Sequence, residues 1–135
     1  MDHQISVLIL EDEALVALDL EDLLRDAGFK IDGVFSSCAA ALEWVEGNSP
    51  DVVIMDIELA DGDCVKIATL LDERGIPFVV HSASVASSSF HDPIFLQGTW
   101  VTKPVSPSEL CNAVQIALAA ANDDDVSRPT KAGHA

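Results

Sequence analysis

Strand-like and helix-like segments alternate five times along this 135-residue chain, and that alternation limits the fold more than any other feature. The apolar, β-branched runs are Ile5 to Leu10 (ISVLIL), Ile31 to Phe35, Asp51 to Asp56 (DVVIMD), Phe78 to His81 (FVVH) and Trp100 to Thr102. Such runs read as buried strands. Between them lie helical patterns. Ala14 to Ala27 places Val16, Leu20, Leu23 and Ala27 on one stripe, with Gly28 as its cap. Ser37 to Glu46 turns Ala41, Leu42 and Val45 inward. Asp63 to Glu73 follows an Asp61-Gly62 turn and is stopped by Gly75 and Pro77. Ser82 to Gly98 is serine-rich and broken by Pro93, so any helix there is short. Ser106-Pro107-Ser108-Glu109 has the form of a capping box and opens a last helix running to about Ala121. Strands separated by helices join in parallel through right-handed crossovers. The expectation is an α/β fold, a five-stranded parallel sheet with helices on both faces. Residues 1–121 form one domain in this reading, and residues 122–135 form a disordered polar tail with little to bury.

Composition narrows the function. The formal net charge of -16 repels nucleic acid and anionic membranes, so neither is an expected partner. No run approaches the roughly 20 apolar residues of a membrane span, and the N-terminus lacks a basic region before its apolar run. The three cysteines, Cys38, Cys64 and Cys111, are far apart and form no Cys-x-x-Cys pair. They read as reduced thiols of a cytoplasmic protein. His3, His81, His91 and His134 show no metal-ligand spacing and read as surface or partly buried side chains.

The chemistry lies where the strands end. In open parallel sheets, ligands bind beyond the carboxyl ends of the strands. The first strand ends in Glu11-Asp12, the third in Asp56, the fourth next to Ser82 and the fifth next to Lys103. A parallel sheet brings three carboxylates, a hydroxyl and an ammonium to one edge. The carboxylates repel unless a cation joins them. Mg²⁺ takes carboxylate, water and phosphate oxygens, while Lys103 and Ser82 suit further phosphoryl oxygens. Asp56, fixed by the most apolar strand, is the natural nucleophile for phosphoryl transfer. Taken singly, these residues have plainer readings. Asp12 could cap the following helix, and Lys103-Pro104 could be only a turn.

As a set, these motifs resemble the receiver domain of bacterial two-component response regulators, over residues 5 to about 121. The resemblance implies a flavodoxin-like (βα)5 fold of the stand-alone type. It implies that Asp56 accepts a phosphoryl group from a histidine kinase or phosphotransfer protein. Glu11, Asp12, Asp56 and the backbone carbonyl of Glu58 would hold Mg²⁺. Lys103 would contact the phosphoryl group, Ser82 would supply the switch hydroxyl, and Trp100 would occupy the aromatic switch position. The bond before Pro104 would be cis, and the side chains of Glu58 and Ser84 would flank the hydrolytic water. The chain departs from the family pattern at Glu11, longer by a methylene than the usual Asp, and at Trp100, bulkier than the usual Tyr or Phe. The segment where a fourth regular helix is expected is also degenerate.

No DNA-binding or catalytic segment follows the last helix in these residues, so output is expected through protein contacts. That helix carries no charge from Leu110 to Ala121. Leu110, Ala113, Val114 and Ala117 read as facing the sheet, and Ile116, Ala119 and Ala120 as facing a partner or a second copy. Three other readings compete. One is a receiver fold that no longer responds to phosphate. A second is a small aspartate-nucleophile phosphatase, which would want an Asp where Glu58 stands. A flavin-binding protein would need a phosphate-cradling loop where Glu11 to Glu13 are acidic.

Overall fold

The computed structural model describes residues 4–57, 64–82 and 93–127, with side chains described as far as Ala121. The elements run β1 (Ser6–Leu10), α1 (Ala14–Asp26), β2 (Lys30–Phe35), α2 (Cys38–Glu46), β3 (Val52–Met55), α3 (Val65–Glu73), β4 (Phe78–Ser82), β5 (Thr99–Thr102) and α4 (Pro107–Ser127). A short 3-10 helix, Pro93–Gln97, leads into β5. The Asp61-Gly62 turn, the start of α3 at Asp63, Glu58, Ser84 and the serine run lie outside the described residues.

All strand pairs are parallel, in the order β2-β1-β3-β4-β5. The sheet is therefore the five-stranded parallel one that the alternation predicts. Its pleat sorts the apolar residues by face. Leu8, Leu10, Val53, Met55 and Val80 pack with α2 and α3. Val7, Ile9, Val52, Ile54 and Val79 pack with α1 and α4. β3 and β4 are buried along their whole length, which makes their last residues the best-anchored positions at the sheet edge. Truncating a fully buried core residue such as Leu24 or Leu110 to alanine costs about 2–5 kcal/mol.

Local chemistry shapes the connections. Ser37 caps α2 by accepting from the Ala40 amide at 3.2 Å. Gly28 ends α1 with a φ of 96°, a conformation that costs a side-chain residue far more. Gly98 is needed for space. A Cβ there would lie 2.7 Å from the Phe78 ring and 2.9 Å from the Phe78 carbonyl oxygen. The Ser106–Glu109 box forms as expected. The Ser106 amide donates to Glu109 Oε1 at 3.0 Å, and the Glu109 amide donates to Ser106 Oγ at 3.2 Å.

Four expectations are corrected. The buried stripe of α1 is Ala17, Leu20 and Leu24, while Val16 and Leu23 are half-buried and Ala27 is exposed. The helix is rotated toward Leu24, whose side chain fills the core more completely than Ala27 would. On α2, Cys38, Ala41 and Val45 are buried and Leu42 only partly so. The last helix passes Ala121 and runs to Ser127. No Gly or Pro interrupts it before Pro129, and extending a formed helix adds one bond per residue. The residues from 128 onward lie outside the described ones. Finally, Cys38 and Cys64 are not separate thiols but are bonded to each other, with Cα atoms 5.5 Å apart. Their proximity arises because α2 and α3 start side by side on one face of the sheet. Cys111 is unpaired.

Candidate functional site

Glu11, Asp12, Asp56, Ser82 and Lys103 come together from strand ends. Glu11 follows β1, and its amide donates to the Phe35 carbonyl at 2.9 Å, so its backbone is held by the sheet. Asp56 follows β3, and its amide donates to the Leu10 carbonyl at 3.0 Å. The Lys103 amide donates to the Ser82 carbonyl at 2.8 Å, which ties the end of β5 to the end of β4. The carboxylates of Glu11, Asp12 and Asp56 bring one oxygen each to within 4.8 Å of one another. Glu11 and Asp56 are buried while Asp12 is exposed, so the cluster opens to solvent on the Asp12 side.

Lys103 closes the cluster. Its Nζ lies 2.9 Å from Asp56 Oδ2 and 3.2 Å from Glu11 Oε1. Burial alone lowers the Lys103 pKa, but the hydrogen bond and charge of Asp56, with Glu11 adding to both, leave it raised. Burial is the main cause that raises the Glu11 pKa. The Glu13 amide and Lys103 oppose that rise, and the Asp56 charge adds to it. The extra methylene of Glu11 has a use here. Glu11 Oε2 accepts from the Glu13 amide at 3.1 Å, leaving Oε1 to face Lys103. Glu13, not Asp12, occupies the cap position of α1, and it makes no side-chain capping bond.

Ser82 is the last residue of β4 rather than the first of a loop, and it is fully buried. Trp100 is half-buried on the α2–α3 face. Its indole Nε1 donates to the Phe95 carbonyl at 2.9 Å, joining β5 to the 3-10 helix. The Lys103–Pro104 peptide bond is cis, as the resemblance implied. Glu58 and Ser84 lie outside the described residues.

His81, read from the sequence as a surface or partly buried side chain, is buried, and its Nδ1 is 3.9 Å from Glu11 Oε1. Neither ring nitrogen has a hydrogen-bond partner. Burial and then the Lys103 charge lower its pKa to about 4, against a smaller opposing effect of Asp56, so the ring is neutral at pH 7. Two-residue alternation from Val79 could have placed it on the α1–α4 face. No spacing signal shows that the end of β4 is covered.

The arrangement suits a hard divalent cation. Among the described residues, the ligand atoms it brings together are carboxylate oxygens, and Glu11 Oε1 is buried without a hydrogen bond of good geometry. Residues 7–115 match the response regulator receiver domain, and the chain belongs to that family. It is 32% identical over 114 residues to the transcriptional regulatory protein PdtaR of Mycobacterium tuberculosis, covering 83% of this chain and 56% of PdtaR. It is 30% identical to the phyllosphere-induced regulator PhyR of Methylorubrum extorquens, covering 87% of this chain and 45% of PhyR. The chain thus spans about half the length of these curated relatives. The solution structure of SdrG from Sphingomonas melonis Fr1 superposes with a TM-score of 0.75 at 31% identity, over 87% of this chain and 99% of SdrG. Among the described residues, no helix is long and apolar enough to cross a membrane.

Proposed function

We propose that this chain accepts a phosphoryl group on Asp56 from a phosphohistidine of a sensor kinase or phosphotransfer protein, and passes the signal on through protein contacts. The observation that carries the reading is the cluster of Glu11, Asp12 and Asp56 closed by Lys103. An Asp56 carboxylate oxygen attacks phosphorus. An O–P bond forms, the P–N bond of the donor breaks, and its electron pair returns to the departing imidazole. Lys103 is within reach of Asp56 Oδ2 and would hold a phosphoryl oxygen there. Glu11 and Asp12, with Asp56 and the Glu58 carbonyl, would hold Mg²⁺, which when bound supplies positive charge against the crowded oxygens. Ser82, at the end of the neighbouring strand, would supply the hydroxyl that answers the new phosphoryl group.

Receiver domains work as signalling modules, and no turnover of an external substrate is proposed beyond loading and hydrolysis at Asp56. The reading places the protein in the cytoplasm, where ATP-dependent kinase domains act. SdrG, covered almost end to end, supports a single-domain regulator.

The donor side is drawn by α1. Leu15 is 82% exposed and Leu18 is 53% exposed, beside Asp19 and Asp22. This apolar strip begins four residues after Glu11, next to the Asp12 opening, and fits the helix that presents the donor histidine. The deciding experiment is intact mass after incubation with Mg²⁺ and acetyl phosphate, with Asp56→Asn in parallel. One phosphoryl adduct is expected on the wild type and none on the variant. An adduct retained by Asp56→Asn would remove Asp56 from its role.

A further inference from the structure

We infer that the Cys38–Cys64 pair is a thiol–disulfide switch acting on the phosphorylation site, an inference that rests on the phospho-acceptor reading above. Cys38 is the first residue of α2. Cys64 stands immediately before α3, at its cap position. They are 26 residues apart in the chain and bonded in the fold. Both cysteines pack in one core cluster with Val53 and Met55 of β3, the strand that ends at the acceptor. Cys64 Sγ also lies 3.7 Å from the carbonyl oxygen of Asp56 itself. A thiol at that distance donates a weak hydrogen bond, whereas a disulfide sulfur has no proton to donate. Oxidation therefore exchanges a contact with the acceptor's own backbone for a covalent tether to α2.

The compartment gives the bond its meaning. Disulfides in cytosolic proteins are usually transient, because glutathione and thioredoxin keep thiols reduced. A bonded pair beside the acceptor of a cytoplasmic signalling domain is thus placed to read the thiol–disulfide balance. The co-reactant is a low-molecular-weight disulfide such as oxidised glutathione. One cysteine thiolate attacks a glutathione sulfur, and the S–S bond breaks to release one glutathione thiolate. The second cysteine thiolate then attacks the protein sulfur of that mixed disulfide, forming Cys38–Cys64 and releasing the second glutathione. Two electrons leave the cysteine pair, and the two protons end on the released thiols. Reduction by two glutathiones is the reverse. Both sulfur residues are buried, so exchange proceeds through local opening and is slow.

The bond ties Cys64, whose sulfur lies against the Asp56 carbonyl, to the start of α2. The tethered form therefore holds Asp56 in place for Mg²⁺ and phosphoryl binding, and the reduced form does so less well. Cys111 packs with the core on the opposite face and takes no part.

The test uses the whole chain equilibrated in glutathione buffers of graded ratio. Thiols are counted by alkylation and intact mass, Mg²⁺ affinity is read from tryptophan fluorescence, and phosphoryl uptake is followed with acetyl phosphate. The expected result is loss of two thiols together as the buffer becomes oxidising. Phosphoryl uptake and Mg²⁺ binding should be about fivefold or more stronger in the oxidised form. Cys38→Ser and Cys64→Ser should behave as the reduced form in every buffer, and Cys111→Ser should keep the full response. Three alkylated thiols at every ratio would overturn the inference, and so would a bond that forms without changing uptake or Mg²⁺ affinity. If neither form takes phosphate, the phospho-acceptor reading has failed. Mg²⁺ affinity then decides the switch: a difference between redox forms upholds it, and equality overturns it.

Discussion

One ammonium, Lys103, stands between two buried carboxylates that come from strands far apart in the chain. The strand-end rule made Glu11, Asp12, Asp56 and Lys103 legible in the sequence, because a parallel sheet leaves such residues nowhere else to go. The rule could not show the neighbours that decide their energetics. His81 was read as a surface or partly buried residue, since pattern gives the face of a strand but not what covers its end. Its lowered pKa yields a stability prediction. Above its ordinary pKa of 6.5 both folded and unfolded states carry a neutral ring. As pH falls from 6.5 toward about 4, the unfolded state takes up a proton that the folded state refuses. Stability is therefore full above pH 6.5 and is lost across that window, by on the order of 2–3 kcal/mol. Urea unfolding at pH 7.5 and 4.5 should show this loss in the wild type, and His81→Leu should lose less over the same interval. The cysteine pairing was equally hidden. A separation of 26 residues carries no signal until two helices are seen to start side by side.

Elements were easier to read than their rotations. Every strand and helix that the alternation predicted within the described residues is present, because period-2 and period-3.6 patterns differ over a handful of residues. The stripe of α1 was read about one position off, since Leu23 and Leu24 both offer an apolar side chain and only packing chooses between them. The exposed side of α1 carries its own prediction. The double variant Leu15→Asp, Leu18→Asp should take phosphate from acetyl phosphate at the wild-type rate. Its rate of transfer from a phosphorylated histidine partner should fall roughly tenfold or more, as expected when interface anchors are lost. Autoradiography of the transfer reaction would measure it, and an equal loss with both donors would place the damage in the fold. Residues 93–98, immediately before β5, are held by specific contacts. Pro93 opens a 3-10 helix, Gly98 closes it against Phe78, and the Trp100 indole locks it to Phe95. Trp100, proposed from the family resemblance as the aromatic switch residue, is therefore engaged in a backbone contact.

At the scale of the molecule, the charge of -16 and the uncharged stretch of α4 describe two different surfaces. Leu110, Ala113, Val114 and Ala117 are buried against the sheet as expected, while Ile116 is 50% exposed and Ala119 and Ala120 are exposed. An apolar face on so acidic a protein is suited to a second copy, because like-charge repulsion is least where charge is absent. Ile116→Glu should lower the self-associated fraction in light scattering at micromolar protein while leaving acetyl phosphate labelling intact. Association unchanged in that variant would exclude this helix face. The length of α4 has a further consequence. Its 21 residues rise about 30 Å, whereas the four residues of β5 beside it span about 13 Å. The helix is thus a lever with its short arm next to Lys103. A tilt of about 10° at the Ser106–Glu109 box would carry Ser127 through about 5 Å. A displacement too small to disturb the packed sheet would still be large enough for a neighbouring molecule to read.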